Sequence, residues 1–256
     1  MEAALPLALL IGAVMGSVGG GGAVLIVPVL IYVLDQDVHD ATSGSLVIVL
    51  VAALVGGALQ ARDHMVCWRA VGVFAPGLVV ASLAGSALNT LVDEDLLLVL
   101  FSVLVLSASA AMWRKAGLED GADASMDALT RACPPVRAPR ALVAGVAVGL
   151  LTGFFGVGGG FVIVPALALW LGFAMRAAVG TSLVVVSCAS GVSLAGHLTG
   201  GADVVWDDVA PLAAAMAAGV VAGGLVGARL PQAALARAFS VVLAAVATGL
   251  LVAVAA

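Results

Sequence analysis

Two clusters of glycine lie inside apolar segments of this chain, and their spacing is the clearest chemical signal in the sequence. The first cluster is Gly19, Gly20, Gly21 and Gly22, and the second comprises Gly156, Gly158, Gly159 and Gly160. Glycine destabilises a helix interior by roughly 1 kcal/mol relative to alanine, so each cluster predicts a break. Unwound backbone exposes N–H groups, and the half-helix that restarts after it carries positive partial charge at its N-terminus. The clusters therefore predict two sites that hold an anion through backbone groups.

Glycine inside an apolar segment has a second interpretation, which is close packing between helices. Gly12 with Gly16, and Gly145 with Gly149, fit that interpretation. The two clusters favour a break instead, because they recur at matched positions and paired broken helices are a recurring feature of transporters. Irregular backbone at membrane depth is tolerated where it is buried in protein or lines a cavity.

Four hydroxyl side chains follow the clusters and could add hydrogen-bond donors to an anion site. Ser43 and Ser45 follow the first cluster, and Thr181 and Ser182 follow the second. The alternative for each is a hydrogen bond back to a carbonyl of its own helix. At the level of sequence both interpretations stay open.

His197 is an ionisable residue near the end of an apolar segment. Ionisable groups inside a membrane are candidates for proton coupling. The alternative is a hydrogen-bonded histidine at the membrane surface.

Known catalytic and metal-binding motifs are missing from the sequence, so we predict no enzyme activity, metal or cofactor. The glycine clusters lack the lysine of a phosphate-binding loop, and there is no HExxH or Cys/His cluster. Cys67, Cys133 and Cys188 form no CxxC pair, so their spacing gives only weak support for a metal site or a disulfide. Cys67 and Cys188 are predicted to be small core residues.

The composition places these residues in a lipid bilayer. Of the 256 residues, 63% are hydrophobic and 10% are charged, whereas soluble domains carry about 25% charged residues. The net charge of −5 and the lack of a basic patch argue against a nucleic-acid partner. The first ten residues lack a positively charged region, so we expect a retained helix there instead of a signal peptide.

The two halves of the chain resemble each other, which predicts a duplicated architecture. Gly16–Pro28 aligns with Gly153–Pro165, and Ser45–Val47 aligns with Ser182–Val184. The predicted fold is an all-α polytopic membrane protein with two homologous repeats, each with a glycine-broken first helix and three spanning helices. Residues 1–112 form the first repeat, residues 113–140 a polar cytoplasmic linker, and residues 141–256 the second repeat.

The positions of Lys and Arg predict how the repeats cross the membrane. If the first segment of each repeat enters the bilayer and returns to the same side, all ten basic residues lie on one side. Cytoplasmic loops are enriched in Lys and Arg, so that side is predicted to be cytoplasmic. Three crossings per repeat then make the second repeat inverted relative to the first. Eight full spans are the alternative.

The glycine-rich segments Gly16–Pro28 and Gly153–Pro165, together with Ala178–Leu183, resemble the sulfite exporter TauE/SafE family of membrane permeases. The resemblance covers nearly the whole chain, and the second repeat matches the pattern better than the first. In the first repeat, Ala41–Leu46 departs from the Gly-Thr-Ser order of the second.

This resemblance implies a multi-pass transporter in the bacterial inner membrane. The implied solute is a small sulfur-containing anion, such as sulfite or an organosulfonate, and the implied driving force is the proton gradient.

The resulting expectation is a secondary transporter of a small anion, embedded in the lipid bilayer. Three alternatives remain: a non-transporting assembly or maturation partner, an uncoupled anion channel, and a thiol–disulfide carrier, which would need paired cysteines. Glycine pairs on the apolar segments also permit a homodimer.

Overall fold

The described residues fold entirely into helices and connecting turns in a computed structural model of the chain. They are 4–19, 23–34, 36, 38–89, 94–120, 133, 137–155, 160–199 and 205–255. The helices are α1 (Ala4–Val18), α2 (Ala23–Leu34), α3 (Val38–Arg62), α4 (Trp68–Asn89), α5 (Glu94–Asp120), α6 (Ala138–Phe155), α7 (Gly160–Pro165), α8 (Met175–Thr199), α9 (Trp206–Gly227) and α10 (Gln232–Ala255). A π-helical turn, Ala166–Trp170, continues α7.

Seven of these helices, within the part of the chain described above, are long and apolar enough to cross a membrane. They are α3, α4, α5, α6, α8, α9 and α10. Helix α1 and the segment Gly160–Trp170 are apolar but shorter. The predicted all-α polytopic membrane fold is confirmed at this level.

Helices α3 and α8 form the centre of the bundle. Their apolar stretches are 56% and 61% buried, whereas the other five long helices are 28–39% buried. The two central helices run antiparallel. A Cβ at Gly57 would lie 3.1 Å from Val184 Cγ2, and a Cβ at Gly180 would lie 3.0 Å from Gln60 Cβ.

Two outer helix pairs are packed backbone to backbone through glycine. Gly12 of α1 faces the Met216 carbonyl of α9, and Gly145 of α6 faces the Phe74 carbonyl of α4. Gly149, one turn further along α6, faces Leu78, so α4 and α6 run parallel. Small residues permit this close approach, and the packing interpretation of these glycines is confirmed.

Helices α1 and α3 run in the same direction, with α2 between them along the chain. Helix α1 is parallel to α9, because the Gly12–Met216 contact is repeated one turn later by Gly16 and Val220. Helix α9 is parallel to α3, since Val220 also contacts Gly56 while Val209 contacts Gly44. The chain therefore turns back between α1 and α3.

The basic residues gather at one end of the bundle. Gly180 near the start of α8 lies beside Met65, which follows α3. The Lys115 Nζ of α5 donates to the carbonyl oxygens of Ala168 (2.7 Å) and Phe173 (3.1 Å), just before α8. The nine described basic residues share this basic face: Arg62, Arg69, Arg114, Lys115, Arg137, Arg140, Arg176, Arg229 and Arg237.

We predict that Gly149→Ala destabilises the protein. The added Cβ would lie 2.8 Å from Leu78 Cα, and this contact involves backbone that cannot rotate away. Overpacking of this kind costs about 1–3 kcal/mol, so the midpoint of thermal unfolding in detergent should fall by several degrees.

Gly72→Ala in α4 is the matched control, because nothing lies within 4 Å of its added Cβ. Its midpoint should be unchanged or slightly higher, since alanine favours the helix by roughly 1 kcal/mol. Equal midpoints for the two variants would contradict backbone packing at Gly149.

Candidate functional site

The first glycine break begins where α1 ends. The Gly19 N–H donates to the Met15 carbonyl oxygen (2.9 Å), and Gly19 has a φ of +97°. A glycine with positive φ is a common way to end a helix. The Gly19 amide is therefore engaged by its own helix and is not a free donor for an anion.

The first break lies against elements from the other half of the chain. A Cβ at Gly19 would lie 2.7 Å from Val164 Cγ2 on α7 and 3.0 Å from Ser182 Oγ on α8. Only glycine fits this position without displacing a neighbour. The structure thus brings together Gly19 and Ser182, two of the residues that the sequence predicted.

The remaining cluster residues are only partly described. Gly20, Gly21, Gly22, Gly156, Gly158 and Gly159 lie outside the described residues. Gly160 begins α7 and is buried, as are Phe161, Ile163 and Val164 after it. This short helix is therefore enclosed by protein, as irregular backbone in a membrane requires.

Two of the four predicted hydroxyl groups bond back to their own helix. Ser45 Oγ donates to the Thr42 carbonyl oxygen (2.7 Å), and Ser182 Oγ donates to the Val179 carbonyl oxygen (2.8 Å). A hydroxyl in such a bond retains acceptor lone pairs, but it must rotate before it can donate to an anion.

Thr181 connects α8 to the turn between α3 and α4. Its Oγ1 accepts a hydrogen bond from the Cys67 N–H (3.1 Å), and both residues are buried. This contact fixes the α3–α4 turn against the central helix.

Ser43 and Thr152 have buried hydroxyl oxygens that find no hydrogen-bond partner in the described part of the chain. Ser43 on α3 is fully buried, and Thr152 lies on α6, just before the second glycine cluster. A buried hydroxyl without a partner costs about 1–3 kcal/mol, so these groups are available to a solute or to water. Sequence inspection missed Thr152, because a single threonine in an apolar helix carries no motif.

His197 lies apart from the first break. It is half-buried in the last turn of α8, and at 1.5 Å per residue it stands about 22 Å along the helix from Ser182. The structure does not bring it near Gly19.

A cavity of about 210 Å³ opens at the basic face, close to the first break. Its lining comprises Gly16, Ser17, Gln60, Asp63, Met65, Arg176, Val179, Gly224, Gly227, Ala228 and Leu235. Val179 lies between the cavity and the break, because it lines the cavity and its Cα is 3.5 Å from the position of a Cβ added at Gly19. The polar residues come together because α3 ends where α8 begins, which no motif in the sequence indicates.

A disulfide joins Cys67 to Cys133, with their Cα atoms 5.6 Å apart. The spacing of the cysteines gave only weak support for a disulfide, and the Cys67–Cys133 bond corrects that interpretation. The two residues are far apart in sequence, and the basic face brings them together. Cys67 is buried as predicted, but Cys188 is an exposed free thiol on α8, so its prediction as a core residue was wrong.

Comparison with known proteins identifies the family. The sequence profile of the sulfite exporter TauE/SafE family matches residues 4–250. The chain belongs to the sulfite exporter TauE/SafE family. This TauE/SafE chain is accordingly a multi-pass membrane protein.

Relatives of this TauE/SafE chain carry transporter names. A "Probable membrane transporter protein" of Xylella fastidiosa (strain Temecula1 / ATCC 700964) is 34% identical over 69% of this chain and 66% of its own length. The "Probable membrane transporter protein YdhB" of Bacillus subtilis (strain 168) is 29% identical over 69% of this chain and 70% of its own length. The chain thus spans just under two thirds of the Xylella relative. No solved structure matches it.

We predict that the air-oxidised protein carries one reactive thiol per chain. In denaturing detergent, a maleimide-linked polymer should modify only Cys188 before reduction, and all three cysteines after reduction. The number of mobility shifts on a gel reports the count directly.

Cys133→Ser is the control for this count, since it releases Cys67 and should give two modified thiols without reductant. Three modified thiols in the unreduced wild-type protein would contradict the disulfide.

Proposed function

We propose that this chain is a secondary transporter of small sulfur-containing oxyanions, such as sulfite or organosulfonates, coupled to the proton gradient. One observation carries the proposal: in a TauE/SafE chain, the first break at Gly19 meets Val164 and Ser182 in the interior of the bundle. The anion is bound at the two glycine breaks, by unwound backbone N–H groups and by the N-termini of α2 and α7.

We propose that the glycines of both breaks bind the anion, so that each break forms one half-site. The first half-site comprises Gly19–Gly22 with Ser182, where Gly19 contributes space instead of a donor because its N–H bonds to Met15. The second comprises Gly156–Gly160 with Ser45 as the repeat counterpart of Ser182. Ser43 and Thr181 are further candidates in the buried region, Ser43 because its hydroxyl has no partner within the described ranges. His197 is too distant from Gly19 to act at this half-site, so any coupling through it would occur near the opposite face.

The two repeats are proposed to be inverted, with boundaries at residues 1–112 and 141–256. Equivalent helices α3 and α8 run antiparallel, and helix α1 pairs with α9 as α6 pairs with α4. This exchange of partners is what a twofold axis in the membrane plane would produce. The shared direction of α1 and α3 supports a re-entrant segment α1–α2 in place of a full span.

The basic face is proposed to be cytoplasmic, according to the positive-inside rule. The C-terminus of α10 then lies outside, because α10 begins at the basic face. Disulfides seldom persist in the cytoplasm, so in this orientation Cys67 and Cys133 are reduced in growing cells and join on exposure to oxidant.

We predict that alkaline phosphatase fused to the C-terminus is active in a bacterial host. Phosphatase folds only outside the cytoplasm, so activity places the end of α10 there. A fluorescent-protein fusion at the same residue should be dark when exported unfolded. The reverse result, with bright fluorescence and no phosphatase activity, would contradict the proposed orientation.

The disulfide favours one further candidate, a thiol–disulfide carrier, but the cysteine count argues against it. Passing electrons across a membrane requires a second cysteine pair, and this chain has only Cys188 besides Cys67 and Cys133. A channel would show flux that neither saturates nor responds to the pH gradient, and an assembly partner would show none.

We predict that purified protein in liposomes moves sulfite saturably and faster under an imposed pH gradient. Ser182→Ala should raise the KM for sulfite about tenfold if the hydroxyl turns towards the anion, as expected for loss of one hydrogen bond to a charged group. Gly158→Leu combined with Gly159→Leu should abolish flux if the protein still folds.

Ser187→Ala is the matched control for Ser182. Both serines are buried on α8 and bond back to the carbonyl three residues earlier, but only Ser182 is placed against Gly19. The KM of Ser187→Ala should stay within about twofold of wild type. Equal KM values for the two variants would show that Ser182 is not part of the site. If neither sulfite nor a sulfonate is transported, the transporter assignment is wrong.

A further inference from the structure

The cavity at the basic face is lined by a positively charged side chain, Arg176. Arg176 is the second residue of α8, and its Nη2 donates to the Leu230 carbonyl oxygen (2.7 Å). Its backbone N–H donates to Gln232 Oε1 (3.1 Å). These contacts hold the side chain at the turn between α9 and α10. The Nε–H is buried and has no partner among the described residues.

Arg176 places a positive charge in the first turn of α8, where the helix dipole is also positive. The N-terminus of a helix carries positive partial charge and favours an anion. A guanidinium is always protonated, so Arg176 and the start of α8 form one positive region. A buried N–H without a partner inside that region calls for an acceptor with negative charge.

The cavity beside Arg176 is suited to hold such an acceptor. Its volume of about 210 Å³ exceeds the roughly 30 Å³ share of a water molecule several times. Gln60 supplies a second donor to the lining, its side-chain amide, whereas the Ser17 hydroxyl in the lining donates to the Ala13 carbonyl oxygen (2.9 Å). The lining also includes Asp63, an exposed carboxylate that repels an anion.

We propose that this cavity is an outer binding site for the transported oxyanion, in which the guanidinium of Arg176 and the side-chain amide of Gln60 hold the anion before it reaches the break at Gly19. The proposal rests on the proposed transport function. The cavity lining includes Gly16 and Ser17 at the end of α1, and Val179 separates the cavity from Gly19. Arg176 is therefore a residue that determines affinity for the anion at the basic face.

The test measures sulfite transport by the purified full chain in liposomes, with variants that change one group of the cavity. Arg176→Gln should raise the KM about tenfold or more while the maximal rate stays within about twofold, because an ionic hydrogen bond is lost outside the translocation step. Asp63→Asn should lower the KM, since it removes a repelling charge. Gln60→Glu should raise it without removing the contacts of Arg176 with Leu230 and Gln232.

Arg69→Gln is the control for general surface charge. Arg69 is exposed on the same face and does not line the cavity, so its KM should stay within about twofold of wild type. An equal rise in Arg69→Gln and Arg176→Gln would overturn the site. If Arg176→Gln lowers the unfolding midpoint but leaves the KM unchanged, Arg176 has a structural role only, and the proposed site is wrong.

Binding without transport separates this proposal from the transporter assignment. Sulfite should raise the unfolding midpoint of wild-type protein in detergent, since a ligand that binds only the folded state stabilises it, and Arg176→Gln should lose most of that rise. If wild type shows the rise but no flux, the transport function fails and the site stands. If sulfite is transported but raises the unfolding midpoint equally in wild type and Arg176→Gln, or in neither, the proposed site is wrong and the transport function stands.

Discussion

Every backbone N–H and C=O group at membrane depth must find its partner inside the protein, and this constraint determines where the broken helices can lie. Helix α1 ends at Gly19, whose N–H still bonds to Met15 and whose missing side chain leaves room for Val164. Helix α7 is buried from its first residue, Gly160. Both segments pack against the central helix α8, Gly19 through Val179 and Ser182 and α7 through contacts of its own.

The same constraint gives the basic residues a structural role besides setting topology. Helix C-termini leave carbonyl groups without partners, and cationic side chains satisfy several of them here. Lys115 reaches the carbonyl of Ala168 within the π-helical turn and that of Phe173 after it, and Arg176 reaches Leu230 after α9. The positive charges at this face therefore close the ends of helices that the chain interrupts or turns.

Sequence reasoning predicted the parts of this fold that depend on local composition. The lengths of the apolar segments predicted the spanning helices, and the spacing of Gly145 and Gly149 predicted close packing between helices. It could not predict the Cys67–Cys133 disulfide, because contact between the α3–α4 turn and the linker depends on the whole bundle. Nor could it separate Ser182, which bonds back to Val179, from Ser43, which has no partner among the residues that the structure describes, since that difference lies in rotamer and surroundings.

The packing also restricts how a transporter of this fold can move. The backbone-to-backbone pairs join α1 to α9 and α4 to α6, so each pair combines one helix from each half of the chain. Rocking one half against the other would break both pairs. The contact between α3 and α8 differs from these backbone contacts, because Gly57 faces the Val184 side chain. A side chain can change rotamer, so this contact can adjust when the helices move. If access alternates, relative movement is therefore expected along α3 and α8, on which Ser43, Ser45, Thr181 and Ser182 lie.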